Sequence, residues 1–214
     1  MSFPNAQKGV SKIFIAQILQ LIGAIVSIIS AVIMLAGAAA VYNAATEGAM
    51  AVLGVSAIVF IVSLIVAIVA FILNIVGLVQ AQKDDQGFRM ALVFSLICIV
   101  LSIVSTLLVT ANPNVANWMQ FVITIFELAV FEYVVVGIMS LAQKLGNQGM
   151  VSYGSKVRII ITILYFILLM IRLFGNMNAD FATIMGFISS ILELVMYIAY
   201  IIYLGKAKKM LANG

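Results

Sequence analysis

Apolar residues run along this chain in six long blocks, at 13–41, 50–79, 90–110, 118–141, 157–173 and 181–204, separated by short polar or small-residue segments. A hydrocarbon core of about 30 Å takes roughly 20 helical residues to cross, and each block reaches or nearly reaches that length. The blocks are continuous instead of alternating at every second position, which argues against the other spanning solution, a closed β-barrel. The pattern predicts an all-α integral membrane protein with six transmembrane helices in a single transmembrane domain, 1–214.

The first block follows Lys8 and Lys12 and ends in a small-residue stretch at 36–40, as a signal peptide would. Its apolar run is longer than the roughly 7 to 15 residues of a signal peptide, so it is read as a retained anchor. At 1.5 Å per residue, blocks one and two reach about 44 Å, more than the hydrocarbon thickness, so they must tilt, bend or project.

Short connections suggest three antiparallel hairpins, at about 6–80, 81–141 and 142–214. An Ala-Gln-Lys tripeptide recurs at 6–8, 81–83 and 142–144, each time ahead of an odd-numbered block, and FVITIFEL at 121–128 resembles FISSILEL at 187–194. The match places Glu127 opposite Glu193. It is either an internal repeat of parallel type or a coincidence of low-complexity apolar sequence; the second block carries Val66 and Ala67 where the others carry glutamate.

Small residues recur at steps of three and four: Gly23, Ser27 and Ala31 in block one, Ser63, Ala67, Ala70, Asn74, Gly77 and Ala81 along block two, and Ala91, Ser95, Cys98, Ser102 and Ser105 along block three. Such seams let helix backbones approach closely in lipid, within one chain or between copies. Neither Pro4 nor Pro113 falls inside a block, so no broken transporter helix is predicted.

Composition sharpens this. Of 214 residues, 65% are hydrophobic and only 8% charged, whereas a soluble domain carries roughly a quarter charged. That excludes a soluble enzyme and a nucleic-acid-binding surface. Ten of the 11 cations fall on alternate connections: Lys8, Lys12, Lys83, Arg89, Lys144, Lys156, Arg158, Lys206, Lys208 and Lys209. The positive-inside rule then puts both termini in the cytoplasm, N-in and C-in, and the net charge of +4 reads as topology facing anionic headgroups. The chain has no Asn-x-Ser/Thr site, in keeping with a prokaryotic cell membrane.

Chemistry is sparse. With no histidine and one cysteine, Cys98, the chain has no disulfide framework, no clustered thiolate site and no His-dependent triad. No enzyme activity, cofactor or metal site is expected. Trp118 and Tyr42 fit interfacial anchors. The stretch 142–156, with Gly146, Gly149 and Gly154, reads as a flexible connection, and Asp84 and Asp85 as a solvated one.

Apart from Arg158 at the very start of block five, counted above with the connection, four charges lie within the blocks: Glu127, Glu132, Arg172 and Glu193. A charge at bilayer depth costs about 2.5 to 3.5 kcal/mol or more for the costlier types, so each needs a reason. Glu127 and Glu193 fall at similar depth near the midplane. Glu132, five residues on, is rotated about 140° from Glu127 and faces elsewhere. Block six carries a polar stripe through Thr183, Gly186, Ser190, Glu193, Tyr197 and Tyr200; block four begins a matching one with Gln120, Thr124 and Glu127. Facing each other, these stripes form either a cation, proton or basic-solute site, with one glutamate protonated, or hydrogen-bonded glue between helices. Arg172, near the outer end of block five, either snorkels to Asp180 or turns inward to Glu127.

The residues thus assigned to a ligand or proton site are Glu127, Glu193, Glu132, Arg172, Tyr197, Ser190 and Thr124. The function expected from them is a small binding or transport subunit. The alternative is a non-catalytic assembly subunit of a larger membrane complex. The partners expected are the lipid bilayer and either a second membrane subunit or further copies of the chain.

Overall fold

Each apolar block forms a helix that outruns it at one or both ends. In the computed structural model these are α1 Pro4–Tyr42, α2 Thr46–Ala81, α3 Gln86–Leu108, α4 Pro113–Lys144, α5 Gln148–Met177 and α6 Ala179–Asn213. Apolarity marks only the stretch that contacts hydrocarbon, while the hydrogen bonds of a helix are local and continue into polar sequence. The structure describes the backbone of residues 2–42, 46–109, 111–177 and 179–213, and side chains at 2–26, 59, 61–109, 111–112, 114–174, 185 and 188–213. Among the described residues there is no strand, and six helices are long and apolar enough to cross a membrane.

The chain divides into two units, one comprising Met1–Phe14 with Ile75–Gly214, the other Ile15–Asn74. In the second, Ala16 and Ala70 are fully buried and Gly23 faces Val66, whereas Ile61, Val62, Leu64, Ile65 and Ile68 are exposed. Of the small-residue seam in α2, Ala70, Gly77 and Ala81 are buried and Ala67 is exposed. Ser27, Ala31 and Tyr42 lie outside the residues whose side chains are described.

In the first unit, α3 packs along α4, α4 along α5 and α5 along α6. Ala91 and Ser95 of the α3 seam are buried, Ser102 is exposed, and Ser105 Oγ donates to the Ala116 carbonyl of α4 at 3.3 Å. Phe94 continues this contact, with ring centroids 5.8 Å from Phe126 and 5.5 Å from Tyr133. The core is densest toward the end of the helices that carries the cations: Val10, Leu78, Phe88, Ile138, Leu141, Tyr203 and Leu204 are fully buried there. Elsewhere large apolar side chains point outward, Leu107 at 71% exposure and Phe166 at 62%. Such a surface is costly in water and neutral in lipid.

The contact between α1 and α2 in this unit is made by backbone. A Cβ on Gly9 would fall 2.5 Å from the Gly77 carbonyl oxygen, and one on Gly77 would fall 2.7 Å from that of Gly9. Only glycine on both sides permits this approach.

Two connections differ from the sequence expectation. The 142–156 stretch is almost wholly helical, because residues 145–147 alone make the turn. Gly146, at φ 71°, takes the left-handed position after α4. The Gly146 amide donates to Gln143 and the Asn147 amide to Ala142, closing a Schellman motif. Asn147 then caps α5, its Oδ1 accepting from the Met150 amide at 3.0 Å. Gly149 and Gly154 lie inside α5. The aspartates at 84 and 85 are likewise structural and not merely solvated. Asp84 accepts from the Ala6 amide at 2.7 Å and from Asn5 Nδ2 at 3.0 Å, closing the start of α1. Asp85 caps α3 through the Gly87 amide at 2.9 Å, and its other oxygen takes Ser140 Oγ at 2.6 Å and Lys144 Nζ at 3.0 Å from α4. An exposed helix start leaves unpaired amides and a partial positive charge, and a carboxylate answers both.

Candidate functional site

Three helices of the first unit supply the charges within the spans. The α4 helix is started by Asn112, whose Oδ1 accepts from the Val115 amide, with Pro113 in the first turn. It carries Thr124 and Glu127 one turn apart and Glu132 rotated about 140° from Glu127. The α5 helix carries Arg158, Thr162, Tyr165 and Arg172, and α6 carries Ser190, Glu193 and Tyr197.

Glu132 is settled by its neighbours on α5. Its Oε2 receives Arg158 Nε and its Oε1 accepts from Thr162 Oγ1 at 2.6 Å. Arg158, one of the ten cations on the alternate connections, is the counter-ion of a carboxylate inside a span. Glu132 is therefore paired with α5 side chains apart from those near Glu127.

Arg172 reaches α6. Its Nη2 lies 3.1 Å from Glu193 Oε1, a partner that neither sequence expectation named. Asp180, the expected snorkelling partner, lies outside the residues whose side chains are described. Glu127 makes no hydrogen bond or ion pair among the described residues, but Arg172 and Glu193 both lie within electrostatic range of it. Tyr197 and Tyr165 are within range of both glutamates, and Cys98 of α3 is within range of Glu127. Glu127 is thus an exposed carboxylate flanked by groups from α3, α5 and α6.

Of the residues assigned from sequence, the structure brings Glu127, Glu193, Arg172 and Tyr197 together and leaves Glu132 apart. Thr124 is buried on the same helix as Glu127, and its hydroxyl donates within α4 to the Gln120 carbonyl at 3.0 Å. Ser190 is exposed one turn before Glu193. Tyr200, part of the α6 stripe, belongs to the core: its ring packs edge-on to Phe131 with centroids 4.7 Å apart. Tyr165 was missed. Its signal was present, since Arg158, Thr162, Tyr165 and Arg172 follow steps of four, three and seven, one polar face of α5.

No protein-family model, curated protein or solved structure matches the chain. The chemistry of the cluster is read from its own groups. One guanidinium and two carboxylates with two phenols nearby leave one negative charge uncompensated when both glutamates are ionised. Such a group accepts a proton, a small cation or an ammonium.

Proposed function

We propose that the chain is a non-catalytic, multi-pass subunit of a prokaryotic cell membrane that binds or transports a proton, small cation or basic solute through Glu127 and Glu193. The helices are arranged as three hairpins with both termini cytoplasmic, as the distribution of ten of the 11 cations supports. The observation that carries the reading is the imbalance of the cluster. Arg172 is bonded to Glu193, and Glu127, at similar depth, has no ion pair of its own among the described residues. A charge held in the spans without a partner marks function more often than packing.

A cationic side chain from another membrane subunit would satisfy Glu127 equally well, and this is the assembly reading. The two part in purified protein reconstituted alone into liposomes. Transport gives saturable proton or cation flux that Glu127→Gln abolishes while the variant stays folded and monodisperse. An inert wild-type chain, with Glu127→Gln instead releasing a copurifying subunit, overturns the transport reading in favour of assembly.

A further inference from the structure

A second charged region lies at the cation-bearing end, where α5 begins and α6 ends. The Lys206 ammonium sits over the Tyr153 ring, 3.8 Å from its centroid. Two other lysines face rings more distantly, Lys208 at 5.5 Å from Phe14 and Lys144 at 6.0 Å from Phe3. Tyr153 is itself held in place: its ring centroid is 6.1 Å from that of Tyr203, a fully buried residue whose hydroxyl donates to the Val135 carbonyl. Lys156 lies three residues after Tyr153 and Lys209 three after Lys206, so each shares the helix face of its neighbour. All three lysines are exposed.

These charges have no internal answer. At this end Asp84 is taken by the start of α1, Asp85 by Lys144 and Ser140, and Glu132 by Arg158. Among the described residues, Lys156, Lys206 and Lys209 form no ion pair. A cation held over an aromatic face keeps a fixed position and loses little further freedom on meeting an anion. The apolar blocks of α5 and α6 begin at 157 and end at 204, so these side chains flank the stretch that seeks hydrocarbon, where lipid phosphates are expected.

We propose that Tyr153, Lys156, Lys206 and Lys209 form a binding site for the phosphate of an anionic phospholipid headgroup. The lysines supply charge and the phenol a hydroxyl donor, on a base made rigid by Tyr203. The site is distinct from the carboxylate cluster and does not depend on its function.

The experiment is native mass spectrometry of the full chain in mild detergent, titrated with phosphatidylglycerol or phosphatidylcholine. Wild type retains phosphatidylglycerol in preference to phosphatidylcholine. Combining Lys156→Gln, Lys206→Gln and Lys209→Gln lowers its retention at least tenfold, given roughly fivefold for each lysine near an anionic surface. A control combining Lys8→Gln, Lys12→Gln and Lys83→Gln removes the same charge from the same end and changes retention less than about twofold, because those lysines lie outside the site. Tyr153→Leu, which keeps an apolar side chain, lowers retention without altering helix content by circular dichroism. Equal losses in the two triple variants overturn the proposal, as does equal retention of the two lipids by wild type. Displacement of the lipid by millimolar inorganic phosphate overturns the assignment to a lipid.

Discussion

The Arg172 guanidinium on α5 lies 3.1 Å from the Glu193 carboxylate on α6, an ion pair between two helices that pack along each other. Removing one partner leaves the other charged and unpaired inside the span. Arg172→Gln should therefore lower thermal stability in detergent, and adding Glu193→Gln should restore part of the loss. Interhelical polar contacts in membranes are worth about 0.6 to 1.7 kcal/mol, which sets the scale of the coupling in a double-mutant cycle. Rescue by Glu127→Gln in place of Glu193→Gln would mean that Arg172 serves the other carboxylate.

Glu132 and Arg158 form the second pair within the spans, with Thr162 on the remaining oxygen. Glu132→Gln should cost about 1 kcal/mol of stability and leave flux or cation binding unchanged, because its charge is already answered. Altered ion dependence in this variant, at normal stability, would place Glu132 back in the site.

Asp85 and Asp84 should differ in their effects. Asp85→Ala removes the α3 cap together with the Ser140 and Lys144 bonds, whereas Asp84→Ala frees only the start of α1. Loss of a cap costs about 0.5 to 2 kcal/mol, and Asp85→Ala should exceed Asp84→Ala by the loss of its α4 contacts. Amide hydrogen exchange gives the spatial check: Asp84→Ala should speed exchange at Ala6, and Asp85→Ala at Gly87.

Gly77→Ala tests the backbone contact between α1 and α2. Its new Cβ would meet the Gly9 carbonyl and Ile13, so the helices must separate, at a cost of about 1 to 3 kcal/mol. Gly149→Ala, whose Cβ would come no nearer than 3.6 Å to Asn147, should be neutral or slightly stabilising in a melting assay.

The number of helices was legible because transfer into lipid depends on local apolarity, summed along a run of residues. The rotation of Glu132 away from Glu127 follows from spacing, but its partners Arg158 and Thr162 do not, and the sequence grouped it with the other site residues. The turn at 145–147 was not legible, because three glycines in 142–156 look alike in sequence while only Gly146 takes a left-handed φ. Asp84 was equally opaque: its partner is the amide of Ala6, 78 positions away.

By itself, the sequence determined that six apolar stretches must seek lipid and that the charges inside them require an answer. Which cation answers which carboxylate was decided only by tertiary packing, through the rotation and depth of α5 between α4 and α6. That packing gave Arg158 to Glu132 and Arg172 to Glu193. Burial is additive along a chain, but a salt bridge exists only where two side chains from separate helices reach the same few ångströms.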